Sequence, residues 1–138
     1  PRVEMIGFSI LAIPNAYGVL KNPLQRFLSR WRFICELNKR GFFEDNTKKL
    51  HLLGMLDGPN EIGLLKNFIS EFSSWDSSAA VWSGINGFVF DNSPTGMKTG
   101  KYEKEVRFDH DSATVNDIAN ATKNLKYIDG MVDEVLRV

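Results

Sequence analysis

Two short runs of apolar and β-branched residues, Val3 to Ile13 and Lys49 to Met55, are each followed by a stretch whose apolar residues recur at helical spacing. This strand-then-helix alternation narrows the available folds more than any other feature, because continuous apolar strands are buried on both faces and are joined by crossover helices. The first run stops at Pro14. After a loop, Asn22 and Pro23 form an N-cap and first-turn pair, and Leu24, Phe27, Leu28, Trp31 and Ile34 share one helical face until Gly41. The second run ends at Gly54, where Asp57, Gly58 and Pro59 supply turn and helix-start chemistry, and Ile62, Leu65, Phe68, Ile69 and Phe72 then carry a helical period. Ser73 to Asp76 predicts a third strand tip, Ser77 to Ser83 a short helix or loop, and Gly87 to Phe90 a further strand. Asp91 to Gly100 is rich in turn residues and predicts an exposed loop, and Lys101 to Asp109 alternates like a strand with one wet face. Ser112 or Thr114 caps a final helix running through Val115, Ile118, Ala119, Thr122, Leu125, Ile128, Val132 and Val135, with Asp129 and Gly130 as a break point.

The pattern predicts an α/β fold of parallel βα units. A (β/α)8 TIM-type barrel spends about 250 residues on eight units, so 138 residues provide about half a barrel. A small open α/β sheet of four or five strands fits the same periodicity. Residues 1–138 read as a single domain, and a 43% hydrophobic, 12% aromatic composition gives it a core. Lys plus Arg and Asp plus Glu number 17 each, so a polyanion would need a local patch rather than a net field. One cysteine, Cys35, excludes an intramolecular disulfide, and with only His51 and His110 beside it no structural zinc set assembles; no metal and no cofactor are expected. No apolar stretch reaches membrane-helix length and no secretory signal opens the chain, which reads as soluble and cytoplasmic. The start at Pro1, directly before a strand-like run, points to processing or to a preceding segment.

Ligand sites in barrels and open α/β sheets collect at the carboxyl ends of strands. Two points stand there. Gly54 to Asn60 opens a helix whose free N–H groups suit an anion, or is an ordinary βα turn. Asp76, beside Trp75, is either a partly desolvated carboxylate able to act as nucleophile or base, or the N-cap of the next helix. His51 reads as a strand-edge histidine, His110 as a solvated turn residue, and Cys35 as core. Arg26 and Arg30, four apart on a basic helix, share a face that is either solvated or meets backbone phosphates.

Trp75-Asp76-Ser77-Ser78, running on to Asn86-Gly87 and Phe88-Val89-Phe90, resembles the nucleophile motif of the tRNA-guanine transglycosylase superfamily, Phe-Asp-Cys-Val-x-Pro-Thr-Arg-x-x-Arg-Asn-Gly, with the same spacing from Asp to Asn-Gly. Leu52-Leu53-Gly54-Met55 with Pro59-Asn60-Glu61-Ile62 is similar to that family's Leu-Met-Gly-Val-Gly-x-Pro-Glu-Asp-Leu segment, and Gly7-Phe8-Ser9-Ile10 to the opening of its Gly-Gly-Leu base-recognition loop. The look is nearest to divergent phage and bacterial members associated with 7-deazaguanine insertion into DNA. Leu11 and Ala12 stand at the Gly-Gly pair, Trp82 and Ile85 at the two motif arginines, and the zinc-binding cysteines and the amino-terminal half have no counterpart.

The resemblance implies the carboxy-terminal half of a base-exchange barrel. Asp76 would be the nucleophile, Ile10, Leu11, Ala12, Gly54, Asn86 and Gly87 would line the substrate, and Arg26 and Arg30 would meet the nucleic-acid backbone. The implied partners are tRNA or DNA and a 7-deazaguanine base, with a second copy or an amino-terminal half-barrel completing the site. The 138 residues alone are expected to be inactive. The alternative is a non-enzymatic α/β interaction domain or phage accessory protein.

Overall fold

The computed structural model describes residues 2–55, 58–90 and 113–136. Three parallel strands lie in the order β1-β2-β3: β1 (Met5–Ser9), β2 (Lys49–Leu53) and β3 (Ser74–Trp75). Between β1 and β2 run α1 (Ala12–Ala16), α2 (Pro23–Lys39) and α3 (Phe42–Asp45), and between β2 and β3 run α4 (Pro59–Leu64) and a 3₁₀ turn (Ile69–Glu71). Two further helices, α5 (Ala79–Ile85) and α6 (Val115–Leu136), follow β3. The chain is α/β, and its described sheet is built from βα units as the alternation predicts.

Four expectations are corrected. The first apolar run is a strand only as far as Ser9, because the Ser9 hydroxyl accepts the Leu11 and Ala12 N–H groups at 3.2 and 3.0 Å and turns the chain into α1. The helical period after Gly58 is shared between α4 and 3₁₀ turns. Ile62, Leu65 and Phe68 recur every third residue, and the bonds Phe68 N–H to Leu65 O and Glu71 N–H to Phe68 O follow that tighter repeat. Gly87 to Phe90 is not a strand. Asn124 of α6, fully buried, donates to the carbonyls of Ala80 and Phe88 and accepts the Phe90 N–H at 2.6 Å, satisfying this segment from a side chain instead of a sheet. α6 also runs through Asp129 and Gly130 without a break. The expected loop at Asp91 to Gly100, the strand at Lys101 to Asp109 and His110 lie outside the described residues.

Phe8, Leu50 and Leu52 point from one sheet face into a core completed by Ile34 of α2 and by Met55, Ile62, Leu65, Ile69 and Phe72. Phe8 meets the Phe72 ring edge-on at 5.1 Å between centroids. α2 begins as the sequence predicts, with the Asn22 side chain accepting the Gln25 N–H at 3.1 Å and Pro23 in the first turn. α5 and α6 pack together at Gly84, where an added Cβ would lie 2.7 Å from the Ala121 Cα. Gly84→Ala should therefore destabilise the chain by about 1–3 kcal/mol, since the obstacle is backbone and cannot swing aside. Chemical denaturation checks this, and an unchanged midpoint would contradict the close approach.

Candidate functional site

The opposite face of the sheet carries the chemistry. Strand side chains alternate, so His51 points away from the core that receives Leu50 and Leu52, and Ser74 and Asp76, two residues apart, share the His51 side. In the parallel register His51 stands directly opposite Ser74. The imidazole Nδ1 lies 2.7 Å from Ser74 Oγ and its Nε2 lies 2.9 Å from Asp76 Oδ1. That same oxygen accepts the Gly54 N–H at 3.0 Å. Asp76 is anchored through its backbone as well, donating N–H to Leu52 O and accepting the Met55 N–H.

Gly54 ends β2 with φ +71°, a conformation that glycine adopts without strain, and an added Cβ would lie 2.8 Å from Ile10 Cγ2. Its carbonyl accepts from Arg30 Nη2 at 2.7 Å. The guanidinium also donates to Glu61 Oε1, Phe8 O and Leu53 O, so one buried cation gathers the ends of β1 and β2 and the first turn of α4. Arg30 is 1% exposed, and its expected contact with nucleic-acid phosphates is overturned by this burial. Four acceptors are lined up where a helix meets two strand ends, and the planar fork of arginine suits them.

The Asp76 carboxylate is 62% exposed rather than desolvated beside Trp75. The Gly54 N–H first, and then the His51 hydrogen bond, hold its pKa below the usual carboxylate range. It does not cap α5: Ser77 Oγ accepts the Ala79 N–H at 3.1 Å. A depressed native pKa stabilises the fold above the unfolded-state value and loses that contribution as pH falls through the native value. Asp76→Asn should accordingly lose more stability relative to wild type at pH 6 than at pH 3. Urea midpoints across that range test the point, and a constant difference would contradict it.

The other expected site residues fall into two groups. Ile10, Leu11 and Ala12 follow β1; the Ile10 N–H is bonded to Leu53 O, and those of Leu11 and Ala12 to Ser9 Oγ. The backbone amides of these three residues, which the resemblance places along the substrate, are thus already engaged, while the Leu11 side chain is exposed. Asn86 and Gly87 close α5: the Asn86 amide donates to Trp82 O at 2.8 Å, and Gly87, at φ +80°, returns its N–H to Gly84 O. Arg26 is half-buried one turn before Arg30. Sequence reasoning missed the link from Ser74 through His51 to Asp76. The i, i+2 spacing of Ser74 and Asp76 was a usable signal, whereas the register that brings His51 to them was not.

Among the described residues no helix is long and apolar enough to cross a membrane, and no group of three or more His, Cys, Asp or Glu side chains is placed to hold a metal. Compared with family models, curated proteins and solved structures, the chain matches none. Class and chemistry therefore rest on the fold and on this cluster: an α/β chain with a fixed, ionised carboxylate at the carboxyl end of a parallel strand.

Proposed function

We propose that the chain is the nucleophile-bearing half of a (β/α)8-type barrel that exchanges guanine for a 7-deazaguanine base in tRNA or DNA. The observation that carries this reading is Asp76 itself, an ionised carboxylate at a strand's carboxyl end, held by Gly54 N–H and His51 on the face away from the helical core. In the reaction a carboxylate oxygen forms a bond to the anomeric carbon of a guanosine. The bond from that carbon to guanine N9 breaks with its electron pair going to the base. The incoming base then displaces the carboxylate, and the proton it loses balances the proton guanine gains. The sheet order β1-β2-β3, each strand parallel to its sequence neighbour, supports the barrel element of the proposal.

The face bearing His51 and Asp76 also exposes Met5 and Leu53, and β1 and β3 have open edges among the described residues. Such edges and apolar surface associate in water, so a second copy or another half-barrel is the expected complement. Sedimentation should show concentration-dependent association; a monomer at every concentration would count against a self-completing half-barrel.

The direct test is incorporation of labelled guanine into tRNA and into duplex DNA, by the 138-residue chain and by the whole gene product that carries it. Exchange is expected where a second carboxylate completes the site and not from the 138 residues alone. Failure of every preparation on both nucleic acids would remove the transglycosylase reading.

A further inference from the structure

Both hydrogen bonds to the Asp76 carboxylate fall on the same oxygen. Gly54 N–H and His51 Nε2 meet Oδ1 at 3.0 and 2.9 Å, while Oδ2 has no hydrogen-bond partner among the described residues. An ionised carboxylate only accepts, so the His51 nitrogen facing it carries the proton. The other ring nitrogen is engaged by Ser74 Oγ at 2.7 Å, and the ring, 19% exposed, sits on the central strand. The second donor is equally fixed, because the Gly54 carbonyl is bound to the buried Arg30.

We infer that His51, locked by Ser74, is a positioning residue that holds Asp76 by Oδ1 and makes Oδ2 the attacking oxygen; this rests on the reading of Asp76 as nucleophile. Two donors on one oxygen stop the carboxylate from rotating about its Cβ–Cγ bond and leave the other oxygen facing outward. As the Oδ2 lone pair forms the bond to the anomeric carbon and the bond to guanine N9 breaks, Oδ1 becomes the carbonyl oxygen of the resulting ester. When the incoming base cleaves that ester, negative charge returns to the carboxylate, and both donors are already in place for the charge on Oδ1. With both ring nitrogens occupied, His51 orients the nucleophile and does not carry protons to a substrate.

His51→Phe keeps the ring and removes the donor, His51→Gln restores an N–H of similar reach, and Ser74→Ala removes only the lock. Two readouts separate this inference from the function it builds on. The first is the titration midpoint of the Asp76 side-chain carboxyl by carbon NMR in the 138-residue chain; Arg30, the other nearby charge, is retained throughout. The second is kcat and KM for base exchange in the gene product. His51→Phe should raise the midpoint and lower kcat about 10- to 100-fold with KM little changed, as expected for a misaligned nucleophile, and His51→Gln should recover most of both. Should His51→Phe fail to fold, Ser74→Ala should move both readouts in the same direction by less. An unmoved midpoint in a folded His51→Phe or Ser74→Ala variant would overturn the inference, even if Asp76→Asn abolishes exchange. A raised midpoint alongside full exchange by Asp76→Asn would keep the His51 contact, and would overturn both the nucleophile reading and the assignment of Oδ2 as attacking oxygen.

Discussion

Arg30→Ala is expected to cost about 3–5 kcal/mol of folding stability, enough to unfold much of a chain of ordinary stability. The loss comes less from the missing attraction than from what the truncation leaves behind. Glu61, 1% exposed, would keep a charge without its buried cation, and the carbonyls of Phe8, Leu53 and Gly54 would lose a donor together. Arg30→Lys should recover little, because one ammonium cannot span acceptors on two strand ends and a helix. Arg30→Met combined with Glu61→Met should be less damaging than Arg30→Ala, since no buried charge is stranded. Urea denaturation of the three variants checks the order, and an Arg30→Ala midpoint near wild type would contradict the role of this cluster.

Asp76→Asn should leave the fold nearly intact and reduce base exchange by at least about 10³-fold, the scale on which removal of a nucleophile acts. The two effects separate because the side chain is largely exposed: an asparagine oxygen can still accept the Gly54 N–H, so the stability cost is about 1 kcal/mol or less. Asp76→Ala removes that acceptor and should destabilise somewhat more. If both variants changed stability while exchange persisted, Asp76 would be a structural tie between β2 and β3 and no more. Thermal melts measured beside exchange rates decide this.

What the sequence disclosed follows from which forces are local. Asn22-Pro23 announced α2 because capping is settled within one turn, and Leu50 and Leu52 announced β2 because their burial is written in their own chemistry. The apolar run beyond Ser9 misled because a hydroxyl accepting two backbone N–H groups outweighs β-propensity. The segment Phe88 to Phe90 misled because its partner is Asn124, which follows it by 34 residues or more. Arg30 looked like a surface cation for the same reason, since nothing near it in sequence shows that Glu61 and three carbonyls wait on the inside. Asp76 was legible as a strand-end carboxylate, whereas the further lowering of its pKa and the fixing of its Oδ1 depend on Gly54 and His51, brought to it only by the register of β2 against β3. Local chemistry thus located the site, and tertiary pairing determined how it is held.

The central claim is that Asp76 makes the covalent bond to the sugar. Its most direct test is to quench the gene product in denaturant during reaction with a guanosine-bearing oligonucleotide, digest it, and weigh its peptides. The account predicts a nucleic-acid adduct on the peptide containing Asp76, lost when the incoming base is added before the quench and absent from Asp76→Asn. An adduct mapped to any other residue, or one that persists in Asp76→Asn, would contradict it.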